Sequence, residues 1–189
     1  LAMDERVALR VRFDDPKIEL PQSMLYFRGP VLSSFDGREW QADPVREDSA
    51  FSGRMGLPAQ LQVPGPPLRY EITLEAHQRP WLLLLEAAPD KPEVAGMNVF
   101  MTQDLQWVAS RPITDIVRLR AESYPQFSHG PRAATPALRF MTALPQGMNP
   151  RTLALAQQMR ANPALAAGGT QALVDAALQR LRTGGYEYT

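Results

Sequence analysis

The chain has no cysteine, only two histidines and only two lysines, Lys17 and Lys91. Without cysteine, these 189 residues hold no disulfide, no thiolate metal site and no thiol nucleophile. His77 and His129 both sit in polar, turn-like contexts and read as solvent-facing loop residues; two imidazoles without thiolates imply no metal and no cofactor. A dominant charge sign is also missing. Twenty basic residues balance 20 acidic ones, so no net field draws nucleic acid or anionic lipid. The longest apolar run, Trp81 to Leu85, has five residues, far below the ~20 that a spanning helix requires. No basic-plus-apolar signal segment begins at Leu1, so the anchors of any membrane-bound parent are expected elsewhere, and this segment itself is expected to make no membrane contact.

Proline, by contrast, is plentiful. Most of the 18 prolines fall between apolar runs, as a loop-rich β domain requires. From Glu5 to Phe13, Val7, Leu9, Val11 and Phe13 alternate with Arg6, Arg10 and Arg12, the period-two pattern of a strand with one wet face. Met24 to Phe35 is a second extended run, bent at Gly29-Pro30. Asp36-Gly37 signals a turn ahead of Trp40, and Gln41 to Pro67 reads as a long connection. Leu68 to Ala76 and Trp81 to Ala87 read as strands joined in a hairpin through His77 to Pro80. Asn98 to Thr102 and Leu105 to Ala109 are shorter strand candidates. In Asp115 to Tyr124, Ile116, Arg118, Arg120 and Glu122 alternate with Val117, Leu119 and Ala121.

The pattern changes after Pro131. Leu138 to Leu144 reads as extended, and Asn149-Pro150 then opens a helix with Asn as N-cap and Pro at the first helical position. Leu153, Leu155, Ala156 and Met159 make its stripe, and Asn162-Pro163 ends it. Thr170 caps a second helix with Leu173, Val174, Ala177, Leu178 and Leu181 as its buried face, stopped at Gly184. Gly168-Gly169-Thr170 lacks the spaced glycines and Lys of a phosphate-binding loop, so it is a loop plus N-cap. The reading is α+β: a mainly antiparallel, sandwich-like β domain over 1–132, then two helices within 133–189. Gly184-Gly185 leads into Tyr186 to Thr189, which reads as a fresh extended segment, so the sequence reads as the front part of a larger protein.

Four residues stand out as structural candidates: Arg28, Asp36, Gly37 and Trp40. A guanidinium among aromatics and aliphatics, as at Arg28, tends to be held by a carboxylate that sequence cannot name. Asp36, Glu39 and Asp43 beside Trp40 could mimic a sugar site or a pair of hydrolytic carboxylates. An Asp-Gly turn whose Trp packs into the sandwich is the plainer reading and is preferred.

Leu25-Tyr26-Phe27-Arg28-Gly29 running to Phe35-Asp36-Gly37-Arg38-Glu39-Trp40 resembles the tyrosine, aromatic, arginine, glycine … aspartate, glycine … tryptophan signature of bacterial membrane-embedded transglutaminase-like proteins, the transglutaminase protein A family. The likeness continues through Tyr70 to Glu86 and Leu144 to Met159. It reaches Tyr186-Glu187-Tyr188-Thr189, similar to the tyrosine-rich approach to the family's catalytic segment. The resemblance implies a periplasmic β domain, on the outer side of the inner membrane, ahead of a papain-like core that the two helices begin. It also implies a Cys-His-Asp acyl-transfer centre lying beyond Thr189, so the catalytic residues within this chain are none. The expected role is a non-catalytic scaffold that positions that core. The implied partners are the remainder of the core, which the helical stripes pack against, and a periplasmic protein or cell-wall peptide substrate. The alternative is a stand-alone β-sandwich binding module for carbohydrate or a protein ligand.

Overall fold

The computed structural model describes residues 6–42 and 61–186. The described residues form two compact units: a helical unit, Asp36–Arg38 with residues 144–186, and a β unit of residues 6–35, 39–42 and 61–143. In the β unit lie β1 (Leu9–Phe13), β2 (Phe27–Arg28), β3 (Ser34–Phe35), β4 (Trp40–Gln41), β5 (Leu68–Leu74), β6 (Trp81–Leu82), β7 (Leu84–Leu85), β8 (Glu93–Val94), β9 (Val99–Met101), β10 (Trp107–Ala109) and β11 (Val117–Ser123). A short helix, α1 (Pro136–Met141), follows them. The helical unit contains α2 (Pro150–Ala161), α3 (Pro163–Ala167) and α4 (Gly169–Thr183). The architecture is α+β, with every strand pairing antiparallel among the described residues and the helices gathered at the C-terminal end. No helix among the described residues is long and apolar enough to cross a membrane.

Alternation builds the main sheet. Its order is β1-β5-β11-β8, with Val11 opposite Ile72 and Ile72 opposite Leu119. One face turns Ile72, Leu74, Leu119 and Ala121 into the core, while β1 contributes the half-buried Leu9, Val11 and Phe13. The three-stranded sheet β6-β10-β9 adds Leu82, Trp107, Val99 and Met101 to the same core, and Trp107 Nε1 donates to the Ala88 carbonyl at 2.8 Å. Burying each large apolar side chain there contributes ~1.5–3 kcal/mol. On the wet face the register lines up Arg12, Glu71, Arg120 and Glu93 across four strands with alternating sign. Arg12 reaches Glu71 at 3.4 Å, and Arg69 reaches Glu122 at 2.7 Å one row away. Solvent screens exposed pairs of this kind, so they add little to stability. Their larger effect is on register, because a slip of one residue would turn every charge toward the core.

Several expectations need correction. Residues 68–76 and 81–87 do not form a hairpin. Both edges of β5 are already taken by β1 and β11, so the chain leaves the sheet instead. Gln78 adopts φ 60°, and the His77 and Gln78 amides both donate to the Ile113 carbonyl, at 3.1 and 3.0 Å. The run from Trp81 then divides: β6 joins β10, and β7 pairs with β2. Leu138 to Leu144 is helical rather than extended at its start. Thr135 Oγ1 accepts from Leu138 N at 3.2 Å and Pro136 supplies the first turn, a capping signal that outweighs the apolar run. Asn162 does end α2, but its Oδ1 accepts from Ala164 N at 3.0 Å and starts α3 at once. The helices therefore number four among the described residues rather than two. Gly168, not Thr170, precedes α4.

The turn at Asp36-Gly37 is present between β3 and β4, where Phe35 pairs with Trp40. Gly37 has φ 107°, a backbone conformation that L side chains rarely adopt, and its bare Cα leaves room for the flexible Met148 side chain, whose Cγ would lie 2.7 Å from a Cβ. Asn149 does precede α2, yet in a left-handed conformation with no side-chain cap. Its Nδ2 donates to the Gly37 carbonyl at 3.3 Å instead.

Candidate functional site

The β2–β7 ribbon carries a partly covered ion pair in the β unit. Pairing of Phe27 with Leu85 and Arg28 with Leu84, and the Glu86 N to Tyr26 O bond of 3.1 Å, bring Arg28 beside Glu86. Arg28 Nη2 donates to Glu86 Oε1, with both side chains about three-quarters covered. The guanidinium also lies over the Tyr26 ring, 5.7 Å from its centroid. Arg28 Nε is buried with no hydrogen-bond partner among the described residues. Partial burial, reinforced by the Arg28 charge and opposed by Asp104, lowers the pKa of the exposed His129 imidazole and favours its neutral form.

Beside the ribbon a groove of about 190 Å³ is walled by Met24, Tyr26, Glu86, Tyr124, Pro125 and Phe127. Leu85 and Ser123 also line this groove, and a closed ring of hydrogen bonds ties them to Tyr70. Ser123 Oγ donates its one hydrogen to the Leu85 carbonyl at 2.8 Å. The Tyr70 hydroxyl must therefore donate to Ser123 Oγ, 2.7 Å away, while it accepts from Leu85 N at 3.1 Å. All three groups are satisfied. Burial, only partly offset by these hydrogen bonds, pushes the Tyr70 pKa up to about 12. The ring fastens β7 to β5 and β11, and so holds the ribbon that bears Arg28.

Of the four structural candidates, Arg28 lies on this ribbon, whereas Asp36, Gly37 and Trp40 lie on the β3–β4 hairpin. Asp36 Oδ1 accepts from Arg38 N at 2.8 Å, so part of its carboxylate closes the turn. Trp40 does not pack into the sandwich. It is 52% exposed and stacks on Phe35 with ring centroids 4.9 Å apart. Asp43 lies outside the described residues, as do Glu187 to Thr189. His129 is exposed, but His77 is half-buried, with Nε2 enclosed and unpartnered among the described residues. No group of three His, Asp or Glu side chains able to hold a metal occurs among the described residues.

Sequence reasoning missed Glu86 and the Tyr70–Ser123 pair. Ser123 continues the inward alternation of Leu119 and Ala121, and a hydroxyl at an inward position is the one signal that pointed to a buried bond.

Residues 1–129 match the family described as the TgpA N-terminal domain. The whole chain aligns at 33% identity over 194 residues with a protein-glutamine gamma-glutamyltransferase of Pseudomonas aeruginosa, spanning 26% of that protein. In structure it is similar to the periplasmic domain of TgpA from Pseudomonas aeruginosa, with a TM-score of 0.74 at 29% identity over 98% of this chain and 59% of that one. The same domain bound to ethylmercury gives 0.72 at 29% identity, over 96% and 58%. The signature around Arg28 and Trp40 and the antiparallel β unit thus agree with the matches in sequence and in structure: the chain belongs to the TgpA N-terminal domain family.

Proposed function

We propose that this chain is the non-catalytic N-terminal portion of a periplasmic transglutaminase-like protein and that it positions an acyl-transfer core lying outside these 189 residues. The observation that carries the reading is the family match over 1–129 in a sequence without cysteine. In the chemistry that the relative's name denotes, a thiolate adds to a glutamine carboxamide, ammonia leaves, and an amine displaces the thiolate from the thioester to give a new amide. Such a centre needs a Cys, an imidazole base and an orienting carboxylate. This chain supplies no thiol. Its own residues supply a rigid base: the core of the β unit, with the Tyr70–Ser123–Leu85 ring holding the Arg28–Glu86 ribbon in place. The parent would be anchored in the inner membrane through segments other than these.

The test is incubation of the purified 189-residue chain with a glutamine peptide and a primary amine, following ammonia release and amine incorporation. No turnover is expected, whereas the longer periplasmic region, carrying the core, is expected to incorporate the amine. Turnover by the chain alone, or none by the longer region, overturns the proposal.

One observation favours a second reading. Trp40, half-exposed and backed by Phe35, is a flat aromatic platform of the kind that stacks on a sugar ring or a protein side chain. Calorimetric titration with glycans tests it. Binding that Trp40→Ala abolishes without unfolding the domain supports this reading, and no heat with any glycan removes its carbohydrate form.

A further inference from the structure

The main sheet ends on two unlike edges. One is β8, only two residues long and so a poor template for another strand. The other is β1, five residues long and paired on one side only among the described residues. Glu75 N donates to the Ala8 carbonyl and Asp14 N to the Arg69 carbonyl, both at 3.0 Å. Antiparallel bonding alternates, so Ala8, Arg10, Arg12 and Asp14 turn their backbone groups toward β5. The amides and carbonyls of Leu9, Val11 and Phe13 therefore point away from the sheet, and they meet no other backbone group among the described residues. The side chains of β1 divide in the same register. Leu9, Val11 and Phe13 pack on the core yet stay half-buried, because the sheet ends beside them. Arg10 and Arg12 stand on the wet face with 61 and 75% of their side chains exposed, each answered by one carboxylate of the β5 segment, Glu75 and Glu71.

We infer that the free edge of β1 takes up an extended, antiparallel segment of a separate protein in which acidic and apolar residues alternate. The edge itself sets both halves of that pattern. Core-side residues of an added strand would cover Leu9, Val11 and Phe13, so those positions are apolar. Wet-side residues would stand opposite Arg10 and Arg12, so those positions are acidic. They continue the alternating row of Arg12, Glu71, Arg120 and Glu93 by one more strand. Charge argues against a second copy. Paired antiparallel with itself about Val11, β1 would set Arg10 against Arg12 twice, and like charges directly opposite destabilise a sheet. Nor do these 189 residues contain the complement, since no two of their 20 acidic residues are separated by a single residue. The arginines thus filter what pairs here, opposing copies and basic strands while favouring an acidic one. Main-chain hydrogen bonds supply the attraction, as in other cases of strand addition. The inference goes beyond the acyl-transfer reading and does not depend on it.

The probe is a short fluorescein-labelled peptide of alternating Glu and Val. It is titrated into the longer periplasmic region of the protein and into the 189-residue chain, with anisotropy as the readout. Saturable binding is expected at both lengths, with amide exchange slowed at Leu9, Val11 and Phe13. The same peptide with Lys for Glu is expected to bind roughly tenfold more weakly, and Arg10→Glu with Arg12→Glu to reverse that preference. Should the double variant fail to fold, N-methylated peptides carry the test on the unaltered protein. Methyl groups on the Val amides block the edge that meets β1 and are expected to abolish binding, whereas methyl groups on the Glu amides point away and are expected to leave it. Absence of saturable binding, equal affinity for the Glu and Lys peptides, or indifference to the position of the methyl groups overturns the inference. So does binding by the shorter chain alone, which would mean that the parent covers the edge itself. Protection of Leu9, Val11 and Phe13 that grows with protein concentration in the absence of peptide would assign the edge to a second copy and overturn it as well.

Discussion

The β unit and the helical unit differ most in what they bury. In the β unit Tyr70, Ile72, Leu74 and Leu82 are no more than 1% exposed, and residues from two sheets converge on a single cluster. Helices α2, α3 and α4 contain no buried residue. Both units carry apolar residues at the correct period, so patterning alone does not separate them. A sheet buries its inner face when a second sheet closes over it, and here both layers come from residues 9–123. A helical stripe stays wet until another layer arrives. The lesson is that amphipathic period reports a face intended for burial, not one already buried.

Substitutions can break or sharpen this contrast, beginning with the strongest. Ile72→Ala at the centre of β5 removes a fully buried side chain from a closed core and is expected to cost ~2–5 kcal/mol, measured by denaturant unfolding. Tyr70→Phe leaves the Leu85 amide and Ser123 hydroxyl short of a partner, for an expected cost of about 1–3 kcal/mol. This variant also has a pH signature. The folded Tyr70 pKa of about 12 exceeds its ordinary 10, so the stability associated with the protonated phenol is complete below pH 10 and lost as pH rises toward 12. The native chain is expected to lose up to ~1.4 kcal/mol per pH unit within that window, and Tyr70→Phe to lack that component of the slope.

Arg28→Met deprives a partly covered Glu86 of its cation. With 21% and 26% of the two side chains exposed, solvent screening limits the expected loss to about 1–2 kcal/mol, read from the thermal midpoint. Leu178→Ala in the 189-residue chain is expected to stay within ~0.5 kcal/mol, since the side chain is 43% exposed. A loss near that of Ile72→Ala would mean that α4 is already enclosed, and the contrast between the two units would disappear.

Much of the fold was legible beforehand where alternation was long. The strands around Val11 and Leu119 and the Asp36-Gly37 turn appear where their patterns put them, because period two and a positive-φ glycine are local requirements. Short strands were less legible. The division of Trp81 to Leu85 between two sheets, and the loss of a hairpin after Leu74, depended on which edges of β5 were already occupied. The polar site was the least legible. Arg28 was conspicuous in sequence, but its partner Glu86 lies 58 residues away, and only strand pairing brings them together.

The amino-acid order by itself determined which residues prefer to be dry, where the chain must turn at Asp36-Gly37, that a helix opens at Asn149-Pro150, and that no thiol can act within these 189 residues. These follow from local backbone sterics, side-chain period and composition. Tertiary structure alone decided that Glu86 answers Arg28, that Tyr70 and Ser123 close a buried ring, that Trp40 faces solvent, and that one face of α4 stays open. Those outcomes depend on which surfaces meet, and contacts between residues distant in sequence leave no periodic trace along the chain.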